Sequence, residues 1–221
     1  MFSGGLGKGT MNKVEAIIFD FDGVLVESVD VKTQAFADMY KQYGPKIVDQ
    51  VVAYHRAHGG ISRFAKFRYY QETLLGESLS PSEEIILGET FSNMVKDAVV
   101  TAPWVPGAHE FLSAHHQKIA LFVASGTPEE EMKEIVERRD MARFFISVHG
   151  APAEKAAIIR SICEEHGFKN RSVLMVGDAM TDYMGARIAG VRFVGRSLDC
   201  QATFPSHVPV IPDLRSLYDF C

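Results

Sequence analysis

Two aspartates separated by one residue follow a short apolar run near the start of the chain. The run, residues 14–19, predicts a buried strand that ends at Asp20. A carboxylate can attack phosphorus and so divide one difficult hydrolysis into two easier steps. Asp22 lies on the same face of an extended chain, where it can protonate a departing alkoxide and later accept a proton from water. We therefore predict Asp20 as a nucleophile and Asp22 as an acid/base, although a plain turn after a strand also fits these residues.

A second polar segment, SGTPE, begins at Ser125 between a predicted strand over 118–124 and a predicted helix over 129–139. A serine hydroxyl and free backbone N–H groups at a helix start form a natural phosphate cradle. We predict that Ser125 and Gly126 bind phosphate. Thr127 is predicted to cap the helix, with Pro128 as its first residue.

Lys155 lies near the start of a predicted helix over 153–166. A cation at a helix N-terminus opposes the macrodipole, so this lysine has no evident role in stability. It is suited instead to act as a point charge for phosphate and for the nucleophile. The alternative, a solvated surface lysine, is disfavoured only by the neighbouring motifs.

The segment VGDAMTD places Asp178 and Asp182 between a predicted strand over 172–176 and a predicted helix over 181–189. Carboxylate oxygens in a turn suit Mg²⁺, which Asp20 would share. Such an ion offsets the repulsion between the acids and a phosphate. Asp178 needs a partner beside a buried strand, whereas Asp182 also fits simple complementarity to a helix N-terminus.

Further strands are predicted over 144–148 and 191–194. Regular alternation of strands and helices after residue 101 predicts an α/β fold with a parallel sheet covered on both faces. Ligands of such sheets bind beyond the carboxyl ends of the strands, so the polar segments above are predicted to share one pocket. Apolar residues over 29–100 recur instead at helical spacing, and they predict three or four helices inserted into the α/β core.

The segments FDFDGVLVES and VASGTP, the lysine at 155, and VGDAMTD resemble the four motifs of the haloacid dehalogenase superfamily, in order. The helical insertion resembles the C1 cap of the phosphoglycolate phosphatase and β-phosphoglucomutase group. The resemblance implies a Rossmann-like parallel sheet core at 11–28 and 101–221 with a helical cap at 29–100. Residues 1–10 are interpreted as a leader or a tag remnant.

The resemblance also implies an activity, namely Mg²⁺-dependent hydrolysis of phosphomonoesters of small metabolites through an aspartyl-phosphate. It implies that the backbone carbonyl of the residue matching Asp22 contacts the metal. The implied roles are nucleophile for Asp20, acid/base for Asp22, phosphate binding for Ser125, Gly126 and Lys155, and metal binding for Asp20, Asp22, Asp178 and, in the outer sphere, Asp182.

Two positions distinguish this chain from some members of the superfamily. Dehalogenases and phosphonatases lack the second acid of the first motif, so Asp22 argues against both. β-Phosphoglucomutases carry a histidine twelve residues after the nucleophile, where this chain has Lys32. A sugar phosphomutase stays open as an alternative. A phospho-aspartate receiver domain is an alternative of another class, which the Asp-x-Asp pair and the large insertion oppose.

The substrate's leaving group is expected to meet the inserted helices, because a cap closes over the phosphate. Gly60 is predicted to lie in a loop that faces the site. Arg63 or Lys66 is predicted to bind a second anionic group, and a solvated basic helix face is the alternative for both. Phe64 and Phe67 are expected in the core of the insertion.

The amino-acid composition limits the kinds of partner that the protein is expected to bind. The net charge is −5 and no Lys/Arg block stands out, so no nucleic-acid partner is expected. No apolar run reaches the roughly 18 residues of a membrane span. Three scattered cysteines without a CxxC pair predict a reduced, cytoplasmic protein, acting as a monomer or homodimer on a small phosphorylated metabolite.

Overall fold

A computed structural model of the chain describes residues 13–198 and 204–221. The interpretation of residues 1–10 as a leader or tag remnant lies outside this range, and so does Cys200 of the three cysteines. Everything that bears on the predicted motifs lies inside it.

Six parallel strands form one sheet in the order β3-β2-β1-β4-β5-β6, which confirms the predicted α/β fold. All four residues of β1 are buried, because neighbouring strands flank it and helices cover both faces. The strands are β1 (Ala16–Phe19), β2 (Ala120–Pro128), β3 (Ser147–Ala151), β4 (Val173–Gly177), β5 (Arg192–Arg196) and β6 (Val210–Ile211).

Eight α-helices accompany the sheet in the described ranges, and five of them lie between β1 and β2. The first four fall at the insertion predicted over 29–100, as the helical spacing predicts, and the fifth follows it. None of the helices in the described ranges is long and apolar enough to cross a membrane. The division of the chain into a core and a separate cap stays a prediction. The helices are α1 (Val29–Met39), α2 (Pro45–Ala57), α3 (Arg63–Arg68), α4 (Pro81–Thr101), α5 (Ala108–His115), α6 (Glu129–Arg138), α7 (Lys155–His166) and α8 (Met180–Ala189).

Several strand bounds differ from the predictions. The strand predicted over 118–124 is β2, which starts two residues later and extends to Pro128. The strand predicted over 144–148 is β3, which starts three residues later because Ala142–Phe144 forms a short 3₁₀ turn. The strand predicted over 191–194 is β5, but it is not the last strand. The two residues of β6 follow it, and so short a segment has no readable hydrophobic period.

The inserted helices pack around an aromatic cluster. Phe36 of α1 lies 4.3 Å from Phe91 of α4 and 5.6 Å from Phe67 of α3, measured between ring centroids. Phe67 is fully buried, as expected, whereas Phe64 is only partly buried against the same core. These rings continue the apolar core on one face of the sheet, so the insertion is packed directly above the strand ends.

Candidate active site

The register of the central strands brings the predicted motifs to one edge. Phe19 of β1 aligns with Val123 of β2 and Val176 of β4, so the residues after them emerge side by side. A cavity of about 160 Å³ lies at this edge. Of the predicted site residues and their neighbours, it is lined by Asp20, Asp22, Lys32, His55, Gly60, Arg63, Lys66, Gly126, Thr127 and Asp178. Ser125, Lys155 and Asp182 are buried close to the same edge.

Lys155 is the first residue of α7, and its side chain is buried against acids. Its Nζ lies 3.1 Å from Asp20 Oδ1 and also forms an ion pair with Asp182. Burial would lower the pKa of Lys155, but Asp182 and Asp20 raise it above its usual value. The surface alternative for Lys155 is therefore wrong, and the lysine is held charged beside the predicted nucleophile.

Asp20, Asp178 and Asp182 form a compact acidic cluster. One carboxylate oxygen from each lies within 4.8 Å of the others. Burial raises the pKa of Asp20 to about 7, against the lowering effect of Lys155. Burial also raises the pKa of Asp178 well above its usual value, and Asp20 and Asp182 add to this. One lysine does not balance three carboxylates, and oxygen donors of this kind fit a hard divalent cation such as Mg²⁺.

Asp182 also serves the helix start. Its Oδ2 accepts a hydrogen bond from the backbone N–H of Ala179 at 3.0 Å, while its other oxygen meets Lys155. Asp182 therefore fits both interpretations. It complements the N-terminus of α8, and it belongs to the acidic cluster.

The side chain of Asp22 points away from the acidic cluster. Lys32 Nζ donates to its Oδ2, and Ser28 Oγ donates to its Oδ1 at 2.5 Å. Burial would raise the pKa of Asp22, but Lys32 and Ser28 hold it below its usual range. Asp22 is thus ionised in this arrangement.

Lys32 is a site residue that the sequence singled out only by contrast with histidine. Besides Asp22, its Nζ donates to Thr127 Oγ1 at 2.8 Å. The sequence carried a signal for Lys32, because Lys32 and Phe36 lie four residues apart and so share one face of a helix. In the structure both residues line the cavity.

The predicted capping role of Thr127 is wrong. The helix α6 begins at Glu129, Pro128 occupies the N-cap position, and no side chain caps the helix. Strand β2 extends through Pro128, so Thr127 is still extended and its hydroxyl faces Lys32. Its backbone N–H donates to Ser125 Oγ at 3.1 Å, which orients the serine within the predicted phosphate cradle.

The loop containing Gly59 and Gly60 lies directly on the motif residues. Thr181 Oγ1 donates to the carbonyl of Gly59 at 2.8 Å. Gly60 has a φ of +73°, and a Cβ there would overlap Thr181 Oγ1 and lie 3.1 Å from Lys155 Nζ. Gly126 likewise has no room for a Cβ beside the carbonyl of Gly60. Glycine is required here because backbone approaches backbone.

Arg63 and Lys66 are both buried, so a solvated basic helix face is wrong for either. The Arg63 guanidinium forms two hydrogen bonds to Glu131, at 2.9 and 2.6 Å, and a third to Ser92 at 2.6 Å. It lines the cavity, but its charge is already paired. No acid within residues 13–198 and 204–221 pairs with Lys66 in this way, and its Nζ lies 2.9 Å from His55 Nδ1.

Removing the acid of the Arg63–Glu131 pair is expected to destabilise the protein. Glu131→Ala leaves a buried guanidinium without its carboxylate, and we expect the free energy of unfolding to fall by about 3 kcal/mol in urea. Glu134→Ala, on the same helix, is the control because Glu134 pairs with Lys96 while 45% exposed. Such pairs contribute at most about 1 kcal/mol. Equal losses for the two variants would contradict the assignment.

Arg196 is another residue that sequence reasoning missed. Its buried guanidinium donates to the carbonyl of Gly23 at 3.0 Å and pairs with Glu27 at 2.6 Å. It thereby holds the turn after β1, in which Gly23 has a φ of +76°. The rule that ligand sites lie beyond strand ends would have found it, since Arg196 is the last residue of β5.

Comparison with known proteins agrees with this fold. The family model of the haloacid dehalogenase-like hydrolases matches residues 17–196. A phosphoglycolate phosphatase from Pseudomonas fluorescens is 25% identical, over 93% of this chain and 79% of that protein. A phosphorylated carbohydrates phosphatase from Thermotoga maritima is 26% identical, over 80% and 82%. The solved structure of a haloacid dehalogenase-like family hydrolase from Streptococcus pneumoniae superimposes with a TM-score of 0.70 at 19% identity, over 94% of this chain and 99% of that one.

A parallel sheet with an acidic cluster and a buried lysine at its carboxyl edge defines a protein of the α/β class. The chain belongs to the haloacid dehalogenase-like hydrolase family. Within that family it is a phosphatase.

Proposed function

We propose that the protein is a Mg²⁺-dependent phosphomonoester hydrolase that forms an aspartyl-phosphate on Asp20. The observation that carries this proposal is the placement of the Asp20 carboxylate, 3.1 Å from Lys155 Nζ and within the acidic cluster, at the floor of the cavity. Lys155 offers a positive charge to both the nucleophile and an incoming phosphoryl group. The Ser125 hydroxyl and the Gly126 N–H are proposed to bind the phosphoryl oxygens.

The proposed reaction has two steps. In the first, an Asp20 oxygen bonds to phosphorus while the bond from phosphorus to the ester oxygen breaks, and Asp22 gives that oxygen a proton. In the second, water attacks phosphorus, Asp22 accepts its proton, and phosphate leaves Asp20. The ionised state of Asp22 matches the second step, so Asp22 must take up a proton before the first.

The acidic cluster is proposed to hold the metal through Asp20, Asp178 and Asp182, together with the backbone carbonyl of Asp22. When bound, Mg²⁺ supplies charge neutralisation for the acids and the phosphoryl oxygens. The protein's own residues do the remaining work. Lys155 orients Asp20. The Gly59–Gly60 loop, which Thr181 holds by a hydrogen bond, is proposed to keep bulk water from the cavity.

The proposed substrate is a small phosphorylated metabolite, in line with the phosphatases to which the chain is similar. Lys32, which pairs with Asp22, stands at the position where β-phosphoglucomutases carry a histidine. This difference supports hydrolysis over the phosphomutase alternative. The helices packed above the site oppose a receiver domain, which needs an open face. Free thiols at Cys163 and Cys221 support the proposed cytoplasmic location.

The test is an assay of two products from one set of substrates. We expect inorganic phosphate to be released from 2-phosphoglycolate and from sugar phosphates in the presence of Mg²⁺. No glucose 6-phosphate is expected to accumulate from β-glucose 1-phosphate. Isomer formation without phosphate release would support the mutase instead, and neither product would overturn the proposed activity.

A further inference from the structure

Lys66 differs from the other strongly buried cations in the described part of the chain. These cations are Arg63, Lys66, Lys155 and Arg196. Three of them form ion pairs, Arg63 with Glu131, Lys155 with Asp20 and Asp182, and Arg196 with Glu27. Lys66 alone forms no ion pair with a carboxylate among residues 13–198 and 204–221. A buried charge without an anion costs free energy. Lys66 therefore destabilises the folded protein unless a ligand supplies that anion.

Two neighbours hold the Lys66 ammonium in place. His55 Nδ1 lies 2.9 Å from its Nζ, and the Phe36 ring lies beneath it at 5.7 Å. Burial, with Lys66 adding to its effect, lowers the pKa of His55 to about 3, so this imidazole is neutral and accepts the hydrogen bond. Burial, with Lys32 adding to its effect, lowers the pKa of Lys66 to about 7, although the more distant carboxylates of Asp22 and Asp178 act in the opposite direction. An anion bound beside it would restore its charge.

Lys66 lies in the same cavity as the residue that is proposed to meet the leaving group. Lys66, Lys32 and Asp22 line the same cavity, and Asp22 is the residue proposed to meet the ester oxygen. A leaving group that extends from Asp22 within this cavity can therefore contact Lys66. At about 160 Å³ the cavity is close to the roughly 150 Å³ of engineered cavities that accept benzene, so the leaving group must be short.

We propose that Lys66, positioned by His55, binds a carboxylate on the leaving group, and that the preferred substrate is a compact phosphomonoester with this carboxylate a few bonds from the ester oxygen. The inference rests on the proposed phosphatase activity. It assigns the second anionic group to Lys66 rather than to Arg63, whose charge Glu131 already satisfies.

Two esters that differ at the distal group test the proposal. In 2-phosphoglycolate the distal group is a carboxylate, and in 2-hydroxyethyl phosphate it is a neutral hydroxymethyl of similar size. For the unaltered enzyme we expect kcat/KM to be at least about tenfold higher for 2-phosphoglycolate, since a tenfold ratio needs only about 1.4 kcal/mol of differential binding. Lys66→Met is expected to lower this ratio at least about tenfold, mainly through KM.

Two further variants and a melting curve complete the design. Lys66→Arg keeps the charge and is expected to retain more of the ratio than Lys66→Met. Lys96→Met removes a lysine that pairs with Glu134 outside the cavity, and it is expected to leave the ratio unchanged. Thermal melting of each variant shows whether it is folded.

The outcomes separate the two proposals. A wild-type ratio near one overturns the carboxylate site, and so does a folded Lys66→Met variant that keeps the wild-type ratio. In either case phosphate release from both esters leaves the phosphatase proposal standing. Should Lys66→Met be unfolded, the wild-type ratio and the Lys66→Arg variant decide. If the unaltered enzyme releases phosphate from no ester, the proposed function fails and this inference fails with it.

Discussion

Replacing Asp20 with asparagine is expected to lower kcat by at least about a thousandfold while the protein stays folded. An amide of the same shape cannot form the bond to phosphorus. Stability should hold, because Asp20 is surrounded by the like charges of Asp178 and Asp182, which an uncharged side chain relieves. Lys155 keeps its second acid, Asp182, so no buried cation is left unpaired.

The measurement is phosphate release together with a melting curve. Asp30→Asn is a matched control, since Asp30 is an exposed acid in the first turn of α1, and it is expected to leave kcat unchanged. Folded Asp20→Asn protein that retains more than about one part in a thousand of the activity would remove Asp20 as the nucleophile.

Removal of divalent metal is expected to stop turnover, and added Mg²⁺ is expected to restore it. Three carboxylates, two of them buried and that of Asp178 partly buried, have oxygens within 4.8 Å of one another; balanced by one lysine, they repel a phosphate dianion. A divalent cation cancels that repulsion. A chelator titration of phosphate release, followed by Mg²⁺ addition, measures both directions.

Binding gives a second readout that does not depend on activity. A ligand that binds only the native state stabilises it by about 2.7 kcal/mol at a hundred times its Kd. We expect Mg²⁺ to raise the melting temperature of the unaltered protein and to raise that of Asp178→Asn much less. Asp219→Asn, near the C-terminus, should respond like the unaltered protein. Hydrolysis that persists in excess chelator would contradict the assignment of Asp178.

The fold and the core of the site were readable from the sequence for one physical reason. Parallel strands end at a common edge, so polar segments that each follow an apolar run must meet there. Asp20, Ser125 and Asp178 are far apart in the chain, yet each follows such a run. Predicting the secondary structure needed only the period of the apolar residues. The prediction failed where a segment is too short to show a period, as in the two residues of β6.

Pairing between side chains was decided by the tertiary structure alone. The sequence offered Arg63 and Lys66 as equal candidates for an anionic ligand, three residues apart on one helix. Which of them has an internal acid depends on Glu131, which is 68 residues from Arg63 and comes into contact only when α6 packs against the inserted helices. Lys66 meets a neutral histidine instead.

The same distinction holds for the acid/base. The sequence placed Asp22 beside the nucleophile, because the two lie one residue apart after a strand. Only the packing of α1 against the strand ends brings Lys32 onto the Asp22 carboxylate and fixes it as ionised. Local order along the chain thus determined which residues reach the site, and contacts between distant elements decided which charges there are already paired.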